Sequence, residues 1–184
     1  QDGDFSWELF EKSYNADLAN NLGNLVNRVT TMADRYRGGV LRGPGTGPAV
    51  GDNAQLDAPA AYQTLMEKLD LSGGAATAMG VVDRANEWIA TQEPWKVAKA
   101  GDGSGVDRVL WNAAEMLRQA AVLLAPFMPA SSSEILKRLG VPSNVSALRL
   151  ERDTKWQADG ERRLQQGPLL WPRLEAAAPA PVVE

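Results

Sequence analysis

Cysteine and histidine are both absent from this 184-residue chain. Without cysteine there is no disulfide, no thiolate metal site and no thiol nucleophile. Without histidine the commonest general base and metal ligand near neutral pH is missing. Ser-His-Asp triads and His-metal chemistry are therefore excluded, and only a carboxylate-based active site stays open. Long apolar runs are lacking too. The longest, near Ala120–Ala130, contains Pro126 and Pro129 and falls short of the ~20 residues that cross a bilayer. The N-terminus is polar and carries no secretory signal. Basic charge is scarce, with 19 Lys+Arg against 23 Asp+Glu and a net charge of −4. Contact with a nucleic acid would need a local patch, not a global field. These absences predict a soluble, cytoplasmic protein with no metal and no membrane partner.

What is present suits one globular domain. Hydrophobic residues make up 44% and charged residues 23%, and the length buries a core without staples. The first residue is Gln1, not Met, which reads as a processed or excised chain.

The strongest periodicity lies between Trp7 and Tyr36. Phe10, Tyr14, Leu18, Leu22, Leu25, Val29, Met32 and Tyr36 recur every three or four residues and predict a long amphipathic helix. Asp4 or Ser6 caps it, and Gly38-Gly39 ends it. Val40–Asn53 is a Gly/Pro-rich loop. A second helix is expected over 58–69, with Asp57 as cap and Pro59 in the first turn. Ser72-Gly73-Gly74 reads as a break before a third helix over 75–91. Gln92–Trp95 turns the chain, and Trp95–Lys99 adds a helical turn. Gly101–Gly105 reads as a loop, followed by a fourth helix over 106–124 that Pro126 stops. Ser131 and Glu134 have capping-box spacing for a fifth helix ending at Gly140.

Beyond Gly140 the periodicity fades. Val145–Arg152 reads as a short extended piece, Glu161-Arg162-Arg163 as a solvated charge cluster, and Gly167–Leu174 as coil packed back on the helices. No strand-turn-strand signal competes. The expectation is an all-α bundle of about five helices over residues 1–142, an irregular segment over 143–175 and a tail or linker over 176–184.

Two features of this bundle invite a function. On the first helix Asn20, Asn24, Arg28, Thr31 and Arg35 fall within roughly 80° of one another at helical spacing, with Asn27 beside them. Asn is a mild cost inside a helix, so Asn20, Asn21, Asn24 and Asn27 together are unusual for a merely wet face. Asn and Arg offer donors, acceptors and a planar cation, the equipment for reading unpaired base edges. The pattern is equally compatible with residues that cap a neighbouring loop or bind water. Trp95, after Pro94, either stacks on a base or plugs the core. Trp88, Trp111, Trp156 and Trp171 read as structural. Gly101–Gly105 and the Gly43–Gly51 region lack the Lys and flanking elements of a phosphate loop.

Five stretches together resemble the C-terminal anticodon-binding region of bacterial methionyl-tRNA synthetases. They are FSWELFEKSYNADLANNLGNLVNR (Phe5–Arg28), YRGGVL (Tyr36–Leu41), ANEWIATQEPWKVAK (Ala85–Lys99), VLWNAAEMLRQAAVLLAPFMPASSSEILKRLG (Val109–Gly140) and GPLLWPRLE (Gly167–Glu175). The Pro-Phe-x-Pro break is shared among class I synthetases. Asn-Leu-Val-Asn-Arg together with Glu-Pro-Trp points to the methionyl branch. In the closing segment a Phe is more usual than Trp171.

The resemblance implies a class I anticodon-binding fold that reads the CAU anticodon. It assigns Asn24 and Arg28 to base contacts and Trp95 to stacking on or beside the first anticodon base. Asn20, Arg35 and Pro94 are further candidate RNA contacts. It implies initiator and elongator methionine tRNA as partners, and a catalytic domain in cis that holds ATP and methionine. The family's His-containing ATP signature is missing from this chain, as are its Lys-rich loop and its Cys-based zinc knob. No catalytic residue and no cofactor is therefore expected here. The alternatives are the anticodon domain of another class I synthetase, or a helical scaffold without an RNA role. In the latter case Trp95 would be buried and Arg28 paired to an internal carboxylate.

Overall fold

The computed structural model describes residues 5–45 and 54–174, excluding the side chains of 54–56. The candidate cap Asp4, most of the Gly/Pro loop and the tail over 176–184 lie outside the described residues. The predicted all-α bundle is what forms, with five long helical units and three short helices among the described residues.

The first unit is a continuous right-handed rod. It begins as α1 (Trp7–Ser13), capped by Ser6, whose Oγ accepts from the Leu9 N–H at 3.1 Å. It continues through π-helical turns (Tyr14–Gly23) into α2 (Asn24–Arg37). Gly38, at φ 60°, ends it in the left-handed region that suits glycine. Across the π-helical stretch Tyr14 and Leu18 still pack against the core. The buried stripe runs through Ala19, Leu22, Leu25, Val26, Val29, Thr30 and Ala33, while Phe10 is exposed.

α3 (Ala54–Glu67) starts four residues before the expected position and takes Pro59 inside it. α4 (Leu71–Gln92) absorbs Ser72-Gly73-Gly74 into its first turn. These glycines do not break the chain. A Cβ on Gly74 would sit 2.6 Å from the Met66 sulfur, so glycine here permits close packing of α3 on α4. α5 (Pro94–Lys99) is the short helix after the turn. α6 (Gly103–Leu124) likewise begins inside the expected loop. Asp70 and Asp102 cap α4 and α6 in the same way, each accepting from the N–H three residues on (Gly73 and Gly105) at 2.8 Å. α7 (Pro129–Arg138) starts at proline. The stretch expected to be extended is instead a 3-10 turn (Val145–Ala147) and α8 (Leu150–Asp153).

α6 is the axis of the molecule, buried from Val109 through Leu124 and packed by α2, α4, α5 and α7. A two-stranded antiparallel sheet lies at its side. In it β1 (Val40–Arg42) pairs with β2 (Glu161–Arg163), Leu41 opposite Arg162. Both strands are too short for an alternating pattern to show.

The supposed solvated cluster 161–163 therefore needs correction, because Arg162 is buried. Its guanidinium lies 4.5 Å from the Trp111 ring and pairs with Glu115, which is fully buried. Arg118 makes a two-pronged pair with the same carboxylate at 3.0 and 2.9 Å. The Gln157 N–H donates to it at 2.9 Å. Arg118 also donates to the carbonyls of Asp153 and Lys155. These bonds clamp the 153–163 segment onto α6. Burial pushes the Arg162 guanidinium down from the usual arginine range, while Glu115 holds it up.

Among the described residues, no helix is long and apolar enough to cross a membrane, and no acidic cluster is arranged to hold a metal ion.

Candidate nucleic-acid interface

The rod and α4 run side by side, and a polar seam joins them. Arg28 Nη1 donates to Asn86 Oδ1 at 3.4 Å. Asn86 Nδ2 donates in turn to Asn21 Oδ1 at 2.7 Å. Asn21 Nδ2 donates to Asp83 Oδ1 at 2.6 Å. Every bond points the same way, from the guanidinium towards the Asp83 carboxylate. The seam is half-exposed, where water weakens each single bond. Its value is orientational, since it engages one Arg28 nitrogen and leaves Nε and Nη2 without a partner among the described residues.

Asn24 lies one turn before Arg28. It is exposed, and its amide has no partner among the described residues. Asn27 and Thr31 are exposed beside it. Arg35 is also exposed and lies 5.6 Å from the Tyr36 ring centre. Asn20 differs from the others because its Oδ1 accepts from Arg173 Nε at 2.8 Å.

Trp95 stands at the end of α4 where the chain turns. Glu93 takes a left-handed conformation (φ 45°), and Pro94 opens α5 as its buried first residue. The turn leaves Trp95 40% exposed, with no ring contact or indole hydrogen bond among the described residues. Trp88 and Trp111 are different. Both are buried and donate to carbonyls, of Val109 at 2.9 Å and of Gln157 at 2.8 Å. Trp171 is buried and Trp156 half-buried. Exposed Lys96 pairs with half-buried Glu93 at 2.8 Å beside Trp95.

Among the described residues, no hydrogen bond or ring contact links Trp95 to Asn24 or Arg28. The connection is α4 itself. From Asn86 the helix runs about 9 Å to its end at Gln92, at 1.5 Å per residue, and Trp95 follows. The sign expected of a scaffold, a buried Trp95 with Arg28 paired to a carboxylate, is not seen: Trp95 is 40% exposed and Arg28 is bonded to an amide.

The sequence alone did not single out Asn86, Asp83 or Arg173. Asn86 and Asp83 sit three apart on α4, a spacing shared by any exposed helix face. Arg173 is brought in by the closing segment, which lies as a strap along the rod in the opposite direction. Gln166 Nε2 donates to Asp34 Oδ2 at 2.9 Å. Trp171 rests against Gly23, where a Cβ would stand 3.3 Å from the ring. Leu174 exchanges two hydrogen bonds with the Asn15 side chain, at 2.9 and 3.0 Å.

Comparisons with known proteins agree with this architecture. Residues 53–168 match the family described as the anticodon binding domain of methionyl tRNA ligase. Residues 1–30 match the family described as tRNA synthetases class I (M). The chain is 37% identical over 187 aligned positions to a methionine–tRNA ligase of Streptomyces coelicolor, covering 95% of the chain and 35% of that relative. It is 32% identical over 185 positions to the methionine–tRNA ligase of Caldanaerobacter subterraneus, covering 95% and 28%. The chain thus spans about a third of the length of these curated relatives. Among solved structures, the apo form of Mycobacterium tuberculosis methionyl-tRNA synthetase superposes with a TM-score of 0.70 at 26% identity, over 96% of this chain and 36% of that one. The same enzyme bound by methionyl-adenylate gives 0.67 at 26% identity, over 91% and 34%.

Proposed function

The chain belongs to the family of methionyl-tRNA ligase anticodon-binding domains, and we propose that it reads the CAU anticodon of initiator and elongator methionine tRNAs. In this reading it is the recognition part of a cytoplasmic methionine–tRNA ligase whose catalytic portion uses ATP and methionine. The observation that carries the proposal is the half-exposed, unpartnered indole of Trp95 at the end of the helix that also orients Arg28.

The chemistry follows from the groups available. Unpaired anticodon bases splay out of the loop and expose their Watson–Crick edges. A cytosine edge presents an amino donor beside two acceptors. The free Asn24 amide can accept from the amino group and donate to the ring nitrogen. Arg28, a pure donor, answers the remaining acceptor. A base with the opposite pattern leaves these groups unpaired, which is where discrimination arises. Trp95 supplies a flat platform for the first anticodon base, worth about 1–3 kcal/mol. Asn20, Arg35 and Pro94 flank the surface. Arg35 is suited to a phosphate, and buried Pro94 acts by setting the turn that presents Trp95.

The test is a titration of the chain with an anticodon stem-loop carrying CAU and with loops altered one base at a time. Tighter binding of CAU, lost in Asn24→Ala and Trp95→Ala, supports the reading. Equal binding of every loop would overturn it.

A further inference from the structure

Between α3, α6 and α8 lies a cleft of about 430 Å³. It is lined by Pro59 and Ala60 on α3, Gln119 on α6, Leu150 on α8 and the half-buried Trp156. Two of these side chains carry a buried polar atom with no use inside the protein. Gln119 is 1% exposed. Its Nε2 donates to the Thr154 carbonyl at 2.7 Å. That bond fixes the amide, because only its N–H end can meet a carbonyl. The Gln119 Oε1 then accepts from nothing among the described residues, and the buried Trp156 Nε1–H donates to nothing among them. Buried polar groups are bonded as a rule, and the buried indoles of Trp88 and Trp111 obey it. One unused acceptor and one unused donor therefore border the same cleft.

We propose that this cleft binds a small, neutral, largely apolar molecule through one amide group, whose N–H donates to Gln119 Oε1 and whose carbonyl accepts from Trp156 Nε1. The free groups select that class. A carboxylate offers Gln119 no donor, and an ammonium offers Trp156 no acceptor. Exposed Glu151 and Lys155 also border the cleft. Their charges oppose each other, so no net field draws an ion, and burying an ion costs far more than burying an amide. A single water does not account for the cleft. It needs only about 10–15 Å³, and the side chains of Pro59, Ala60 and Leu150 offer it no bond.

The cleft is held in place by the clamp on α6. Arg118 donates to the carbonyls of Asp153 and Lys155, and Thr154 Oγ1 donates to the Leu150 carbonyl at 2.6 Å. The segment that carries Leu150 and Trp156 is thus fixed before any ligand arrives, and a pre-formed site loses little ordering entropy on binding. No residue of the rod or of α5 lines the cleft. Ligand binding and RNA reading can therefore be lost independently, and the proposal does not rest on the RNA reading.

The probe is benzamide, titrated into the isotope-labelled 184-residue chain and followed by NMR. The Trp156 indole signal is identified by its loss in Trp156→Phe, which keeps a ring and removes the donor. Benzamide should shift that signal with a Kd on the order of 1 mM, as suits so small a ligand. Acetophenone has the same shape and carbonyl but no N–H, and should bind about fivefold more weakly. Trp156→Phe should weaken benzamide by a similar factor, read from the backbone amides of Thr154 and Lys155. Ala60→Phe fills the cleft from an exposed helix position and should weaken benzamide at least tenfold, with the Trp88 and Trp111 indole signals unmoved as the check on folding. A Trp156 signal that benzamide never shifts would overturn the proposal. Acetophenone binding as tightly as benzamide would reduce the cleft to an apolar dent and overturn the amide assignment. Undiminished binding in Ala60→Phe would place the ligand elsewhere and overturn it too.

Discussion

The guanidinium of Arg28 is held by the side-chain oxygen of Asn86, across the seam between the rod and α4, at 3.4 Å. The bond is long and half-exposed, so it adds little to stability. It nevertheless narrows the arc over which Arg28 can present its remaining donors. Asn86→Ala should therefore unfold within about 0.5 kcal/mol of wild type, the usual range for surface changes. Its preference for CAU over a changed first base should fall by about fivefold, the equivalent of about 1 kcal/mol of lost orientation. Stem-loop titrations of both proteins check this. An unchanged preference would leave Asn86 a helix-face residue only.

Trp95 gives a larger and cleaner effect. Its ring is 40% exposed and packs on no other aromatic, so truncation opens no deep cavity. Trp95→Ala should weaken stem-loop binding by about 1–3 kcal/mol, and Trp95→Phe should recover part of it. The thermal midpoint should hardly move. The contrast is Trp111→Ala, which removes a 1%-exposed ring and should cost about 3–5 kcal/mol of stability.

How much of this was legible in sequence depends on the kind of signal. The five long helical units were readable because their apolar residues recur at helical spacing. Their starts were misplaced where glycine was read as punctuation. Gly73, Gly74 and Gly103–Gly105 lie inside helices because Asp70 and Asp102 cap the chain ahead of them. The repeated Asp-x-Ser-Gly at 70–73 and 102–105 was the signal that pointed there. The π-helical turns were invisible, since no side-chain pattern announces an i→i+5 ladder. At the candidate site the residues on the rod were visible, but their partners were not. Asn86 and Arg173 arrive through α4 and the strap, long-range placements that a one-dimensional pattern does not encode.

The buried trio of Glu115, Arg118 and Arg162 should be sensitive to unbalanced change. Two guanidiniums share one fully buried carboxylate. Glu115→Gln leaves two buried cations without an opposing charge, which should cost about 3–5 kcal/mol. Arg162→Met keeps Glu115 paired with Arg118 and should cost less. Urea unfolding of the two variants gives the order directly. If the costs are equal, the trio acts through its carbonyl bonds to 153–157 and not through charge.

Asp102 supplies the expected pH dependence. The Gly105 N–H, then the Ser104 hydroxyl, hold its carboxyl below the usual aspartate value. A lowered folded value means that the charged form is favoured by folding. Its contribution is complete above the unfolded value and is lost as pH falls through the folded one. Asp102→Asn keeps an N-cap that does not titrate. Wild type should therefore be the more stable near neutrality, with the gap closing on acidification below about pH 4. Thermal melts of both proteins across the acid range test it, and a gap that stays constant there would rule out Asp102 as the titrating cap.

Arg173 separates phosphate contact from strap architecture. Its Nε bonds Asn20 at 2.8 Å on an exposed surface, next to the stripe that continues through Asn24. The neighbouring strap residues are fixed by Trp171 and by the paired bonds of Leu174 to Asn15, so the strap does not depend on the guanidinium. Arg173→Ala should change stability by no more than about 0.5 kcal/mol. If the cation neutralises a backbone phosphate, the variant should weaken binding alike for CAU and altered loops, and the slope of log affinity against log salt should fall by about 0.7, the single-strand increment for one phosphate. A loss confined to CAU would instead make Arg173 a base reader acting through Asn20. Binding and slope both unchanged would mean that Arg173 only ties the strap to the rod.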